Sequence, residues 1–370
     1  MTILSGTEFN DTYPNIEFYK VLTKDYKHYD FTYQHGLNVD HIPFNPSGRS
    51  SQGGLYFTEL DKLSYWIDMN SVYIAKVTIP SNASVYVEQN KFKADQFVLD
   101  LDNKLLIKDF YMWKNEAFCK SSIQNDGLAL QFVKDQTEEL CILAITQNRY
   151  ALDLVKAQTD KICKIAVSQN GYALQFVKDQ TDEICKLAVN RNGCALTFVI
   201  NKTDEICTLA VIQHGGALAY VINKTDEICK LAVSQQPYAL ASVTNQTDEI
   251  CKLAINQNGH ALQYVKNQTD EICKLAVNQN GWALKYVTNQ TDEICKLAVT
   301  QNGYALQFVR NQTDELCKLA VSQEGHALRW VRTQTDEICK IAVRQNGRAL
   351  EYVRNQTDFR ICKKPNGLTM

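Results

Sequence analysis

The chain lacks the features that would place it in most functional classes. No stretch approaches the 18 or so consecutive apolar residues of a membrane-spanning helix, so no membrane span is expected. Residues 1–20 alternate polar and apolar types without a continuous apolar core, so no secretory signal is expected, and an intracellular protein is. There is no Walker-type phosphate loop and no His-Glu-x-x-His pair, and only 6 histidines occur in 370 residues. Net charge is −2, which gives no global field to recruit nucleic acid or a membrane surface. One local bias exists: residues 305–370 hold 11 Lys+Arg against 7 Asp+Glu, a bias that a solvated helical surface also produces.

What the chain has is repetition. Cys119, Cys141, Cys163, Cys185, Cys207, Cys229, Cys251, Cys273, Cys295, Cys317 and Cys339 recur at a period of 22, and Cys362 follows at 23 after an insertion near Phe359. Each lies in a near-copy of one unit, such as Gly171-Tyr-Ala-Leu-Gln-Phe-Val-Lys-Asp-Gln-Thr181-Asp-Glu-Ile-Cys-Lys-Leu-Ala-Val-Asn190. A fixed period of this length specifies a stacked array in which each unit buries its apolar face on its neighbours.

The unit divides into two halves offset by 11 residues, so that Ala173, Leu174 and Val177 correspond to Ile184, Cys185 and Ala188. Thr181 is placed to cap a second helix, with Asp182 and Glu183 in its first turn where negative charge suits the helix dipole. Asp182 reaches Lys186 at i+4. Asn192-Gly193 ends that helix, with the glycine expected in the left-handed conformation. The first half, Tyr172 to about Lys178, reads as another short helix. Helices this short are marginal alone and require stacking. The expected fold is mainly α: an α-solenoid of about eleven 22-residue helix pairs over residues 112–364, behind a small α+β module at 1–111 and before a tail at 365–370. Residues 115–125 read as a degenerate opening cap, and Pro365 as the stop. A leucine-rich repeat also fits the period, but its Leu-x-x-Leu-x-Leu strand is absent.

The 13 cysteines are regularly spaced singletons rather than a compact disulfide framework. One thiol per unit, with helices packing about 10 Å apart, cannot supply four converging zinc ligands. Cysteine therefore reads as a small apolar residue at a helix–helix contact, with no metal and no cofactor. Asn-x-Thr patterns at Asn201, Asn223, Asn245, Asn267, Asn289, Asn311 and Asn355 read as helix caps rather than glycan acceptors.

Positions that drift between copies are the candidates for function. The position after Asn-Gly reads Leu128, Tyr150, Tyr172, Cys194, Gly216, Tyr238, His260, Trp282, Tyr304, His326 and Arg348. A site that accepts both Gly and Trp is not a packed core position. Four residues later an almost always aromatic series, Phe176, Tyr264, Tyr286, Phe308 and equivalents, reads as inter-repeat packing. The candidate binding surface is Tyr150, Tyr172, Tyr238, His260, Trp282, Tyr304, His326, Arg329 and Arg348. Aromatic anchors with Arg nearby suit a protein partner. They equally suit single-stranded RNA, with Arg310, Arg329, Arg332, Arg344, Arg348 and Arg354 near phosphates.

The first 111 residues do not repeat. Ser51 to Thr58, Tyr73–Pro80 and Ala83–Glu88 read as strands, 61–68 as helical, and Phe97-Val98-Leu99 closes the segment. Gly36-Leu-Asn-Val-Asp-His-Ile-Pro-Phe-Asn-Pro46, Gly53-Gly-Leu-Tyr-Phe57, Val77-Thr-Ile-Pro80 and Lys91-Phe-Lys-Ala-Asp95 resemble the N-terminal module of ankyrin-repeat and other repeat proteins of giant DNA viruses of the mimivirus group. The Asn-Gln-Thr-Asp-Glu-Ile-Cys-Lys-Leu-Ala-Val units are similar to an uncharacterised helical repeat of the same viruses. The resemblance implies an adaptor-like role in the cytoplasm of the infected host cell. A second resemblance is to ADP-ribosyltransferases: His35-Gly36, then Gly54-Leu55-Tyr56-Phe57, then a helix from Lys62 to Trp66. It implies His35 on a ribose and Tyr56 on a nicotinamide. Where that family carries a late Glu, this chain has Asp95-Gln96-Phe97-Val98. The function expected is non-enzymatic binding of a protein. RNA binding and a degenerate or active transferase module are the alternatives.

Overall fold

The computed structural model describes residues 2–47, 52–89 and 91–354. Cys362, Pro365 and the remainder of the expected tail lie outside the described residues, as do Asn355 and Ser51. The described backbone forms two compact units, divided between Leu187 and Ala188.

The first unit opens with ten strands: β1 (Thr2–Ser5), β2 (Phe18–Leu22), β3 (Lys27–His28), β4 (Phe31–Thr32), β5 (Gly36–Val39), β6 (Leu55–Glu59), β7 (Tyr73–Thr78), β8 (Ser84–Val87), β9 (Phe92–Ala94) and β10 (Gln96–Leu106). Eight of them form one antiparallel sheet in the order β1-β8-β9-β6-β2-β7-β10-β5, and β3 pairs with β4. A helix, Gly6–Thr12, is capped by Ser5 in a reciprocal capping box with Glu8. It presses Phe9 into an aromatic cluster with Phe18, Phe57 and Phe92, whose ring centroids lie 5.0–5.9 Å from that of Phe9. The expected strands at 55–58, 73–78 and 84–87 are present, while the expected helix at 61–68 is a 3-10 helix, Leu60–Trp66. Gly54 has φ +127°, a conformation that side-chain-bearing residues rarely adopt, and its N–H donates to the Asp40 carboxylate at 2.6 Å. Strands β2 and β6 pair at two positions only, Phe18 with Glu59 and Tyr19 with Thr58. Beyond Tyr19 they part, and a cleft opens between them.

From Glu116 to Arg354 the chain is a helical solenoid. Eleven ten-residue α-helices, from Glu116–Asn125 to Asp336–Gln345, alternate with eleven six-residue 3-10 helices, from Gly127–Phe132 to Gly347–Tyr352, among the described residues. The array is a regular series of helix pairs at the 22-residue period. Each α-helix buries a stripe such as Ile250, Cys251, Ala254 and Ile255. Its capping threonine accepts from the backbone N–H three residues on, as Thr247 does from Ile250 at 3.4 Å. These threonines are the ones read above as caps.

Four expectations are refined or corrected. First, the expected short helix in the first half of each unit is present and is a 3-10 helix. In most units an Asn side chain caps its start, as Asn280 accepts from the Trp282 N–H at 3.0 Å, and Val287 N–H closes its end on Leu284 at 3.2 Å; His214, Gln236 and Glu324 make no such cap bond. Six residues leave too few i→i−4 bonds to favour the wider helix. Second, the glycine after Asn is not left-handed. It starts the 3-10 helix and is needed for close approach: a Cβ on Gly281 would lie 2.5 Å from the Ala298 carbonyl oxygen of the following repeat. Third, the segment at 115–125 is a full α-helix capped by Asn115. The N-terminal region supplies its neighbour: Ser64 Oγ meets Ser121 Oγ at 2.9 Å, and Asn125 Nδ2 donates to the Tyr65 carbonyl at 3.0 Å. Fourth, the i,i+4 ion pair is part of a longer ladder. Lys164 lies 2.7 Å from Asp160 and also 2.7 Å from Glu183 of the next repeat, and Lys274 does the same with Asp270 and Glu293.

Candidate functional site

The side chains that tie the repeats together decide which residues remain for a partner. The glutamine before each capping threonine is a clamp. Gln290 Nε2 donates to the Phe308 carbonyl of the next repeat at 2.9 Å, and its Oε1 accepts from the Arg310 N–H at 2.9 Å. Gln136, Gln246, Gln268, Gln312 and Gln334 make the same pair of inter-repeat bonds. The sequence reading passed over this glutamine; its recurrence before every Thr-Asp-Glu but two was the available signal. Each clamp oxygen also faces a cysteine thiol, at 3.7–4.0 Å for Cys273 and Cys251 among others. Burial pushes these thiols above their ordinary range, that of Cys317 to about 11, so they stay protonated and unreactive. All of the period cysteines among the described residues are buried and unbridged. No group of three or more His, Cys, Asp and Glu side chains converges among the described residues.

A second ladder uses basic side chains. Lys156, Lys266, Arg310 and Arg332 each donate to two backbone carbonyls of the preceding repeat; for Arg310 these are Thr288 at 2.7 Å and Val287 at 3.1 Å. Arg354 donates to the Arg332 carbonyl at 2.9 Å. Arg310, Arg332 and Arg354 were read above as phosphate contacts. Their guanidinium groups donate to the array's own backbone.

Two consecutive repeats break both ladders together. Lys202 and Lys224 replace the clamp glutamine, and Ile200 and Ile222 replace the basic residue. The Val199 carbonyl, which a basic residue at 222 would bond, instead accepts from Lys202 Nζ at 2.7 Å. The exchange leaves Ile200 and Ile222 exposed at 77% and 75%, the most exposed large apolar side chains in the molecule among the described residues. Tyr220 and Ile212 are exposed in the same repeats. Comparison between repeats could have found this pair of coordinated departures.

The drifting position sits second in each 3-10 helix. None of its occupants among the described residues is buried. Tyr150, Tyr238, Trp282 and Arg348 are exposed; Tyr172, His260, Tyr304 and His326 are half-buried. Its contacts run between repeats rather than along one helix. Tyr150 meets Phe176 edge-on at 5.7 Å, Tyr238 meets Tyr264 at 5.8 Å, His260 meets Tyr286 at 5.8 Å, Trp282 meets Phe308 at 5.7 Å and His326 meets Tyr352 at 5.7 Å. Each ring is thereby held by the next repeat in a favoured T-shaped geometry while one side stays open. Arg329 lies over Trp330 at 4.8 Å and Tyr352 at 5.6 Å.

The two transferase-motif residues occupy different surroundings. His35 precedes the edge strand β5; its Nδ1 accepts from the Leu101 N–H at 3.3 Å and its Nε2 lies 3.6 Å from Asp102. Tyr56 lines the cleft between β2 and β6, with Lys91 Nζ over its ring at 4.2 Å. His35 lines neither of the cavities that Tyr56 lines.

Comparison with known proteins gives two partial likenesses. The profile of a family described as a domain of unknown function (DUF4116) matches residues 247–291 and again 269–313. Both windows start and end on capping threonines, one repeat apart, so the family's unit corresponds to two α/3-10 pairs here. A putative ankyrin repeat protein, R229, of Acanthamoeba polyphaga mimivirus is 29% identical over 97 residues, 24% of this chain and 31% of that protein. The chain thus matches about a third of that relative's length. No solved structure matches. No helix among the described residues is long and apolar enough to cross a membrane.

Proposed function

We propose that the chain is a non-enzymatic protein-binding scaffold of a giant-virus repeat family, acting in the cytoplasm of the infected host cell. In this reading residues 1–111 form an N-terminal module, 112–364 the binding array and 365–370 a tail. The observation that carries it is the set of half-open aromatic side chains Tyr150, Tyr238, His260, Trp282 and His326, each braced by an aromatic ring of the following repeat, at a position whose residue type differs between repeats. Bracing lowers the entropy that a partner must overcome on ordering these rings. The drift in residue type gives each rung its own specificity. The viral ankyrin-repeat relative supports the setting. Arg329 on Trp330, with the exposed Arg348, adds cationic contacts at the C-terminal end.

The test is affinity capture with the full chain from amoebal lysate, with and without nuclease, against a Tyr150→Ala/Tyr238→Ala/Trp282→Ala variant of unchanged melting temperature. A protein retained by the wild type after nuclease, and lost by the variant, supports the scaffold. Capture that vanishes with nuclease selects single-stranded RNA instead and overturns it. So does a partner held equally by the variant.

A further inference from the structure

We propose that the cleft between β2 and β6 is a binding site for a small oxyanion, a phosphate or carboxylate group carried by a compact ligand, with the Lys20 amine at its floor. The cleft has a volume of about 190 Å³ and is lined by Lys20, Tyr56, Thr58, Trp66, Ser71 and Lys91 among others. That volume is below the usual range for drug-sized ligands, so the occupant is small.

Lys20 is the anomaly. It sits between Phe18 and Leu22 on the buried face of β2, is 8% exposed, and packs its amine over the Tyr33 ring at 5.0 Å. Among the described residues no carboxylate or carbonyl bonds it. The one carboxylate lining the cleft, Asp68, is turned onto the Ser71 hydroxyl at 2.8 Å and the Asn70 N–H at 2.9 Å. The other charged groups there add positive charge. Lys91 is 9% exposed, pinned over Tyr56 at 4.2 Å and Trp66 at 5.3 Å, and Lys27 lines the mouth. His28 also lines the mouth but is neutral near pH 7, because burial and the nearby Lys20 lower its pKa to about 4. Glu88 pairs with Lys91 at 3.6 Å and also acts on Lys93, so its charge is already shared by those two amines. Burying an ammonium without a counter-charge is costly, so such a residue either loses its proton or is served by an anion. Burial, with Lys91 nearby, lowers the Lys20 pKa to about 7. The amine therefore titrates near neutrality, and an anion in the cleft would draw a proton onto it.

The experiment titrates inorganic phosphate, and separately acetate, into the full chain at constant ionic strength, one pH unit below and one above the Lys20 midpoint of about 7. Saturable binding of one of the two is expected, and which one binds identifies the anion. Affinity should fall about tenfold for each pH unit above the midpoint, as the proton-linked amine is lost. Lys20→Met, close to isosteric, should remove the binding while the chain still melts cooperatively. If that variant fails to fold, the wild-type pH profile decides the matter, with the phosphate arm corrected for the titration of phosphate itself across this window. Absence of saturable binding by both anions, a flat pH profile, or equal binding by Lys20→Met would overturn the site.

Discussion

The N-terminal sheet and the helical array satisfy the same buried backbone in opposite ways. In the sheet, most pairings join segments far apart in the chain, as β1 with β8 and β2 with β7, with β8–β9 the local exception. Its core is one cluster in which Phe9 touches Phe18, Phe57 and Phe92 together. In the array every inter-repeat bond spans a fixed short distance, 18 residues for Gln290 to Phe308 and 20 for Gln290 to Arg310. A two-dimensional net should fail as a whole, whereas a one-dimensional stack should fail rung by rung. The difference also teaches where variation is tolerated: on the array's open rings, and not on the sheet's buried ones.

The sharpest break should come from Phe57→Ala. It empties the centre of the aromatic cluster and should cost about 3–5 kcal/mol, with hydrogen exchange rising across the whole sheet at once. Next is the pH dependence of the sheet. Lys20 titrates near 7 when folded and near about 10.4 when unfolded, so the unfolded chain holds more protons between those values. Stability should rise with pH across that window, by about 1.4 kcal/mol per pH unit, and Lys20→Met should flatten the rise in chemical denaturation. In the array, Gln290→Ala leaves the Phe308 carbonyl without its clamp and should cost about 2 kcal/mol. Faster exchange should be confined to the two adjoining repeats; a change spread over the whole array would break the rung-by-rung description. The smallest effect belongs to the exposed Lys252–Glu271 pair, 2.7 Å apart. Lys252→Ala should leave the melting temperature unchanged within error at physiological salt.

The same contrast explains what was legible in the sequence. The period of Cys141 to Cys163 presented the array's pattern many times over, so caps such as Thr247 and stripes such as Ile250 and Ala254 stood out. The 3-10 character of Gly281–Tyr286 did not, because six mostly apolar residues carry no decisive period. The pairing of Trp282 with Phe308 was hidden because an i,i+4 reading looks along one helix, while the contact reaches into the next repeat. In the N-terminal region β6, β7 and β8 were readable as local alternation, but β1, β2, β5 and β9 were not. The assignment of β1, β2 and β5 depends on partners many residues away, and β9 is too short to show an alternation. Lys20 drew no notice because one polar residue in Phe-Tyr-Lys-Val-Leu looks like an ordinary solvent-facing position, and only the pairing of β2 turns it inward.

The glutamine clamp has a consequence for heredity. Because each clamp grips a chemically equivalent backbone one repeat on, a gene that gains or loses one whole unit by unequal recombination still encodes a continuous ladder. A gain or loss of any other length shifts the glutamines off their carbonyls. Array length can therefore change in whole steps within a lineage, each step adding or removing one open ring, while the protein stays folded.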